Sequence, residues 1–300
     1  MKNLIVSKLS NKQPTKDISL DDIKYKIPKV TSKKNVVIKI SKDVTFSKKT
    51  IPIIAGPNGV ENRELMFKIA KFLKKNGMHI IRGHAYKPLT FPYRSKSYKE
   101  SLDIGMDWMD EVKKYTGMSV VTELTEIKYL ERVCKTADIL QIGSRNMQNL
   151  ELLREAALTG YPIILKRHFG ASLRDMLGAA EHILVEGNNK LILCERGIAA
   201  PHTHKETSRF MLDVQAIVAL KEIVKYPIIS DPSHASFWAP WVSNLAYASI
   251  ASGCDGLIIE MHPTPSKSAV DPLQPLNFRQ FKNFLKQANK VSKVFKRKII

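Results

Sequence analysis

The sequence predicts an α/β protein, a (β/α)8 TIM barrel with a short N-terminal β-hairpin extension. From residue 51 onward, eight short apolar, β-branched runs alternate with polar turns and segments of helical spacing. The runs are nearly apolar on both faces, as strands of a parallel sheet covered on both sides must be. Eight such units is the count that closes a barrel, and 300 residues is an ordinary length for one. An open doubly wound sheet is the alternative on spacing alone, but no GxGxxG follows the first run.

In order along the chain, residues 1–35 form a basic N-terminal extension, too short and polar for a separate regulatory domain. VVIKISKDVTFSKKT (36–50) alternates like a hairpin able to close the bottom of the barrel. The first run, IPIIAGP (51–57), stops at Gly-Pro with the neutral amide of Asn58 just beyond it. NRELMFKIAKFLKKNG (62–77) then has helical spacing. The next runs are HIIRGHA (79–85), SVVTEL (119–124), ILQIG (139–143) and PIILKRH (162–168). SLRDMLGAAEHILVEG (172–187) reads as helix, and LILCERG (191–197), PIISDP (227–232) and GLIIEMH (256–262) complete the set. Gly77, Gly160 and Gly187 fall where helix C-caps are expected. The catalytic barrel is assigned to residues 36–290 and a basic tail to 291–300.

The formal charge of +20 raises nucleic-acid binding, so its location matters. Residues 1–50 carry 13 lysines and four aspartates, and residues 279–300 carry eight bases and no acid. The body between them has 27 bases and 24 acids. The excess sits in the two ends, and no aromatic residues interleave with those lysines as a stacking platform requires, so no nucleic-acid partner is expected. Cys134, Cys194 and Cys254 have no metal-ligand or redox-motif spacing and read as free thiols in a reducing compartment. The N-terminus has no apolar h-region, and no stretch is long and apolar enough to span a membrane. A soluble cytoplasmic protein without a membrane partner is expected.

In a barrel, the C-terminal ends of the strands converge on the active site. Those ends carry Arg82, Arg145 with Asn146, Lys166 with Arg167 and His168, and Glu195 with Arg196. Asp231, His234, Glu260, His262 and Asp271 follow, and Lys87 lies in the turn after the second run. Taken singly, each reads as a solvated loop charge or half of an ion pair. Together, Arg82, Lys87, Arg145, Lys166 and Arg196 would repel one another in a cleft unless an anion neutralised them. Arginine forks and lysine point charges suit a small, multiply charged anion with carboxylate and phosphate groups. His234, Glu260 and Asp271 form a second set, able to bind a divalent metal, exchange protons, or simply hydrogen-bond locally.

AGPNGVE, RGHAYKPLTFPY, TEL, QIGSRNMQN, ILKRH, AAEHILVEGN, LCERG, DPSH and IEMHPTP occur here in a characteristic order and spacing. With these motifs the chain resembles the 3-deoxy-D-arabino-heptulosonate 7-phosphate (DAHP) synthases, in the branch related to 3-deoxy-octulosonate 8-phosphate synthase, over about residues 36–288. The resemblance implies a (β/α)8 barrel that adds carbon three of phosphoenolpyruvate to the aldehyde of a phosphorylated sugar, releasing inorganic phosphate. It implies that Arg82, Lys87, Arg145, Lys166 and Arg196 hold phosphoenolpyruvate. Lys87 lies where a general acid could protonate the aldehyde oxygen. His234, Glu260 and Asp271 match three of the family's four metal ligands, and Asn58 stands where metal-dependent members have cysteine. Since an amide oxygen binds a divalent ion far more weakly than a thiolate, no cofactor is expected to be required, with loose divalent binding through the other three left open. His234, Asn58 and Asp271 join Lys87 as expected catalytic residues.

The acceptor side departs from the family. The family's KPRT is KPLT here, so Leu89, beside Thr90, replaces an arginine that engages the sugar phosphate. Ala199 and Ala200 follow CERGI, Phe237 and Trp238 follow DPSH closely, and RGG has become Arg82-Gly83-His84. Thr90, Leu89, Phe237 and Trp238 are the expected acceptor lining. Phosphoenolpyruvate and an aldehyde are the expected substrates, with erythrose 4-phosphate or a variant acceptor as the aldehyde, and a homo-oligomer is expected. An octulosonate 8-phosphate synthase-like enzyme and a non-catalytic anion-binding barrel are the alternatives.

Overall fold

The computed structural model describes residues 27–32, 35–86, 102–201 and 210–300. A short antiparallel pair, β1 (Ile38–Lys39) and β2 (Thr45–Phe46), precedes β3 (Thr50–Ile51). The repeating unit then begins with β4 (Ile53–Gly56), α1 (Arg63–Lys75), β5 (Ile80–Arg82), α2 (Leu102–Thr116) and β6 (Ser119–Glu123). It continues through α3 (Leu130–Cys134), β7 (Ile139–Ile142), α4 (Leu150–Leu158), β8 (Ile163–Lys166), α5 (Leu173–Val185) and β9 (Leu191–Glu195). Next come α6 (Val214–Ile223), β10 (Ile228–Ser230), α7 (Pro232–Ser236), α8 (Ala239–Ala251), β11 (Leu257–Glu260), α9 (Phe278–Val294) and β12 (Lys298–Ile299). Strands β4 to β11 close into one barrel in sequence order, every neighbour parallel, with β11 returning to β4 in the register Ile258 to Ile54. All eight expected strands are present, and Gly77, Gly160 and Gly187 each have the positive φ of a helix end.

Each strand serves two cores because its side chains alternate faces. Ile53, Ile81, Val120, Leu140, Ile163 and Leu193 face outward into the layer shared with the helices. Ile54, Ile80, Val121, Ile139, Ile164, Ile192, Ile229 and Ile258 fill the barrel interior. Ile38, Val44 and Phe46 of the hairpin pack onto that interior set, so the hairpin plugs the N-terminal end. Two residues beyond six of these eight, on the same face, the chain changes character. Ile80 leads to Arg82, Val121 to Glu123, Ile139 to Gln141, Ile164 to Lys166, Ile229 to Asp231 and Ile258 to Glu260. The lower barrel is therefore oil and its upper mouth is charged.

The basic C-terminal stretch, residues 291–300, packs back against the barrel. Helix α9 runs through it to Val294, and β12 pairs in parallel with β3. Arg297 is why this end folds back. Its guanidinium donates to the Cys254, Ser47 and Thr50 carbonyls and pairs with Asp255 at 3.1 Å. At the other end, Ile27 and Val30 join the core, and the Lys29 and Val30 amides both donate to the Glu181 carboxylate at 2.9 Å. Among the described residues no helix is long and apolar enough to cross a membrane.

Candidate active site

Strand β4 delivers Asn58 by ending in a tight turn. Gly56 has φ 148°, and a Cβ there would lie 2.1 Å from the Arg82 carbonyl oxygen, so only glycine lets β4 approach β5 this closely. Backbone bonds then join the two ends: the His84 amide donates to the Asn58 carbonyl, and the Val60 amide donates to that of His84. Asn58 is fully buried between unlike partners. Its Oδ1 accepts from Arg82 at 2.9 Å, and its Nδ2 donates to Asp271 Oδ2 at 2.8 Å. An amide can accept from a cation through its oxygen and donate to a carboxylate through its nitrogen at once.

Arg82 is the largest fully buried side chain. The Glu260 carboxylate is 3.9 Å away. Within the described residues, its Nε and one terminal nitrogen have no hydrogen-bond partner, an expensive state for a buried cation. His84, beside it, is also fully buried and accepts the Glu123 amide proton on Nδ1 at 2.9 Å.

Asp231 organises the opposite wall. It caps the five-residue α7 through the His234 amide, with Pro232 as the first helical residue. It also takes the Lys166 ammonium at 2.5 Å and the His234 imidazole Nδ1 at 2.9 Å. Burial alone would raise the Asp231 carboxyl, but His234 and Lys166 outweigh it and hold it well below the usual carboxylate range. Burial pushes His234 well below the ordinary imidazole value, with Lys166 and Arg82 adding to that push against Asp231. His234 Nε2 lies 3.6 Å from Glu260 Oε2, the oxygen that accepts from Gln274 at 2.5 Å. Burial pushes the Glu260 carboxyl up to about 8 despite Arg82, and Asp271 adds to the rise.

The expected site residues thus fall into three groups. Asn58, Arg82, Lys166, His234, Glu260 and Asp271 converge on one mouth, and Arg196 joins them by donating to the His234 carbonyl at 3.1 Å. Arg145 is exposed on the turn after β7, while Phe237 and Trp238 are half-buried between α7 and α8. Lys87, Leu89 and Thr90 lie outside the described residues. Arg167 and Glu195, also at strand ends, bind one another at 2.9 Å, and Arg167 holds Asp213, the α6 cap, at 3.0 Å. Gln274 and the pairing of Asp231 with Lys166 were not legible in the sequence; the proximity of Gln274 to Asp271 was the available hint.

The candidate metal ligands His234, Glu260 and Asp271 do not form a compact ligand group as placed. Among the described residues, no group of three His, Cys, Asp or Glu side chains is placed to hold an ion. The Asn58 amide is the physical reason on one side: it turns an N–H toward Asp271, and its oxygen is taken by Arg82. As placed, Asn58 itself offers an amide N–H rather than a metal ligand to the side of Asp271.

The sequence and the fold are similar to those of known proteins. A family model described as the DAHP synthetase I family matches residues 35–297. The phospho-2-dehydro-3-deoxyheptonate aldolase of Thermotoga maritima is 39% identical over 250 residues, 83% of this chain and 72% of that protein. A 2-dehydro-3-deoxyphosphooctonate aldolase of Syntrophotalea carbinolica is 26% identical over 270 residues, 85% of this chain and 95% of that one. The crystal structure of the Thermotoga maritima DAHP synthase superposes with a TM-score of 0.82 at 37% identity, over 89% of this chain and 76% of that one. A truncated form of the Thermotoga enzyme gives 0.83 at 35% identity, over 92% of this chain and all of that one. With the match covering the whole barrel, the chain belongs to the DAHP synthetase I family.

Proposed function

We propose that this protein condenses phosphoenolpyruvate with the aldehyde of an aldose phosphate, giving a 3-deoxy-2-ulosonate phosphate and inorganic phosphate. The observation that carries the reading is Arg82, a fully buried guanidinium with two nitrogens lacking partners among the described residues, set in a mouth with Lys166 and Arg196. Such a cation is stabilised when an anion arrives. Phosphoenolpyruvate brings a carboxylate and a phosphate, which suit several cations at once.

Carbon three of phosphoenolpyruvate attacks the aldehyde carbon, and the aldehyde oxygen takes a proton, which Lys87 is assigned to supply. Water adds at carbon two, and phosphate leaves from that carbon, so one water is consumed for each phosphate released. His234, neutral and oriented through Nδ1 by Asp231, presents Nε2 toward Glu260 and is assigned to proton transfer. Asn58 is assigned to hold Arg82 and Asp271 apart and correctly turned, and turnover is proposed to need no divalent metal.

Erythrose 4-phosphate is the first acceptor to test, because similarity is greater to the heptonate aldolase, at 39%, than to the octonate aldolase, at 26%. Leu89, Ala199 and Ala200 motivate a different mode of holding it. The experiment is phosphate release from phosphoenolpyruvate with erythrose 4-phosphate, arabinose 5-phosphate and unphosphorylated aldehydes, for the parent and Leu89→Arg. Release is expected with an aldose phosphate and an improved kcat/KM for erythrose 4-phosphate in the variant. No release with any aldehyde would overturn the enzymatic reading.

A further inference from the structure

A stack of rings lines the barrel mouth on the side of β8 and β9. His168 and Phe169, just past β8, have ring centroids 4.1 Å apart. Phe169 stacks on Phe210 at 5.1 Å, with the planes 24° apart. Arg196, just past β9, lays its guanidinium carbon 4.4 Å from the Phe210 ring centroid. All three rings are half-buried.

The backbone builds this stack from three neighbouring strand ends. The Ala199 amide donates to the Phe169 carbonyl at 2.8 Å, and the Phe210 amide donates to the Ala235 carbonyl at 3.0 Å. Ile198 and Met211 exchange antiparallel hydrogen bonds at 2.9 and 3.0 Å. Gly197 has φ 95°, and a Cβ there would lie 2.9 Å from the Cβ atoms of both Ala235 and Phe210. Glycine therefore allows Phe210 to close over the neighbouring arginine.

We propose that Phe210 is a positioning residue for Arg196, supported from behind by Phe169. A guanidinium stacked on a ring keeps its N–H groups in one plane, so the ring sets the plane in which an anion is met. The hydrogen bond from Arg196 to the His234 carbonyl sets its direction within that plane. Ring and carbonyl together remove rotamer freedom that a bound anion would otherwise have to freeze. The proposal rests on the functional reading above, in which Arg196 holds phosphoenolpyruvate.

The test compares the parent with Phe210→Leu, Phe210→Tyr and Phe169→Leu. Phosphoenolpyruvate affinity is read by calorimetry, KM and kcat by phosphate release, and folding by thermal melting. Phe210→Leu keeps apolar bulk but loses the ring face, and is expected to weaken binding about three- to tenfold, with KM moving more than kcat. Phe210→Tyr keeps the face and is expected to bind like the parent. Phe169→Leu should weaken binding in the same direction by less. Parent-like affinity in Phe210→Leu, or an equal loss in Phe210→Tyr, overturns the positioning role while leaving the functional reading intact. A parent that does not bind phosphoenolpyruvate overturns both.

Discussion

Replacing Asn58 with alanine asks whether one neutral amide organises the charges of the mouth. The side chain is fully buried and makes two charge-assisted hydrogen bonds, to Arg82 at 2.9 Å and to Asp271 at 2.8 Å. Such bonds contribute roughly 1.5–3 kcal/mol each, so losing both would cost about 3–6 kcal/mol if nothing moved. A water entering the vacated polar space would recover part of this, which puts the expected loss near about 3 kcal/mol. Arg82 would then relax toward the Glu260 carboxylate, 3.9 Å away, and compete with the incoming anion. Phosphoenolpyruvate affinity should fall at least about tenfold, equivalent to about 1.4 kcal/mol. Urea unfolding at neutral pH measures the first quantity and calorimetry the second. A stability change below about 0.5 kcal/mol together with unchanged affinity would refute the role given to the amide.

Arg196→Ala should weaken phosphoenolpyruvate by about 2–5 kcal/mol, the cost of truncating one partner of a buried charge pair, whereas exposed Arg145→Ala should cost less; calorimetry giving the reverse order would contradict the site geometry. Turnover should survive dialysis against a chelator, and Asn58→Cys should introduce a response to added divalent metal; activity lost to the chelator and restored by an ion would show that the parent needs one. Ser172→Ala should destabilise the protein by about 1 kcal/mol at neutral pH, because Ser172 and Asp175 form a capping box on α5. The hydrogen bonds from the Ser172 side chain and backbone lower the Asp175 carboxyl, so its contribution is complete above the usual carboxylate range and disappears as pH falls through the lowered value. The urea midpoints of parent and variant should therefore converge in acid, and a constant gap down to low pH would argue against the ionised cap.

The barrel was legible because its signals are local. Two-sided apolar runs repeat eight times, with helical spacing between them and glycines at several helix ends, and each can be read within a short window. The change from apolar to charged residues two positions along a strand, as from Ile80 to Arg82 or Ile164 to Lys166, is equally local and marked which end of the barrel carries chemistry. Charge alone was silent on how 291–300 packs, since the density of bases says nothing about whether Arg297 has carbonyls and Asp255 to bind.

Partnership was beyond such windows. Lys166 and Arg167 are adjacent and both cationic, yet Lys166 faces Asp231 and Arg167 is spent on Glu195 and Asp213. Asn58 meets Asp271 across 213 positions because the barrel closes β11 onto β4. Phe169 meets Phe210 because Gly197 leaves room between the ends of β9 and β10. Alternation along one strand decides which way a side chain faces; closure and register between strands decide what it faces. The first is written in consecutive residues, and the second exists only once all eight strands are assembled.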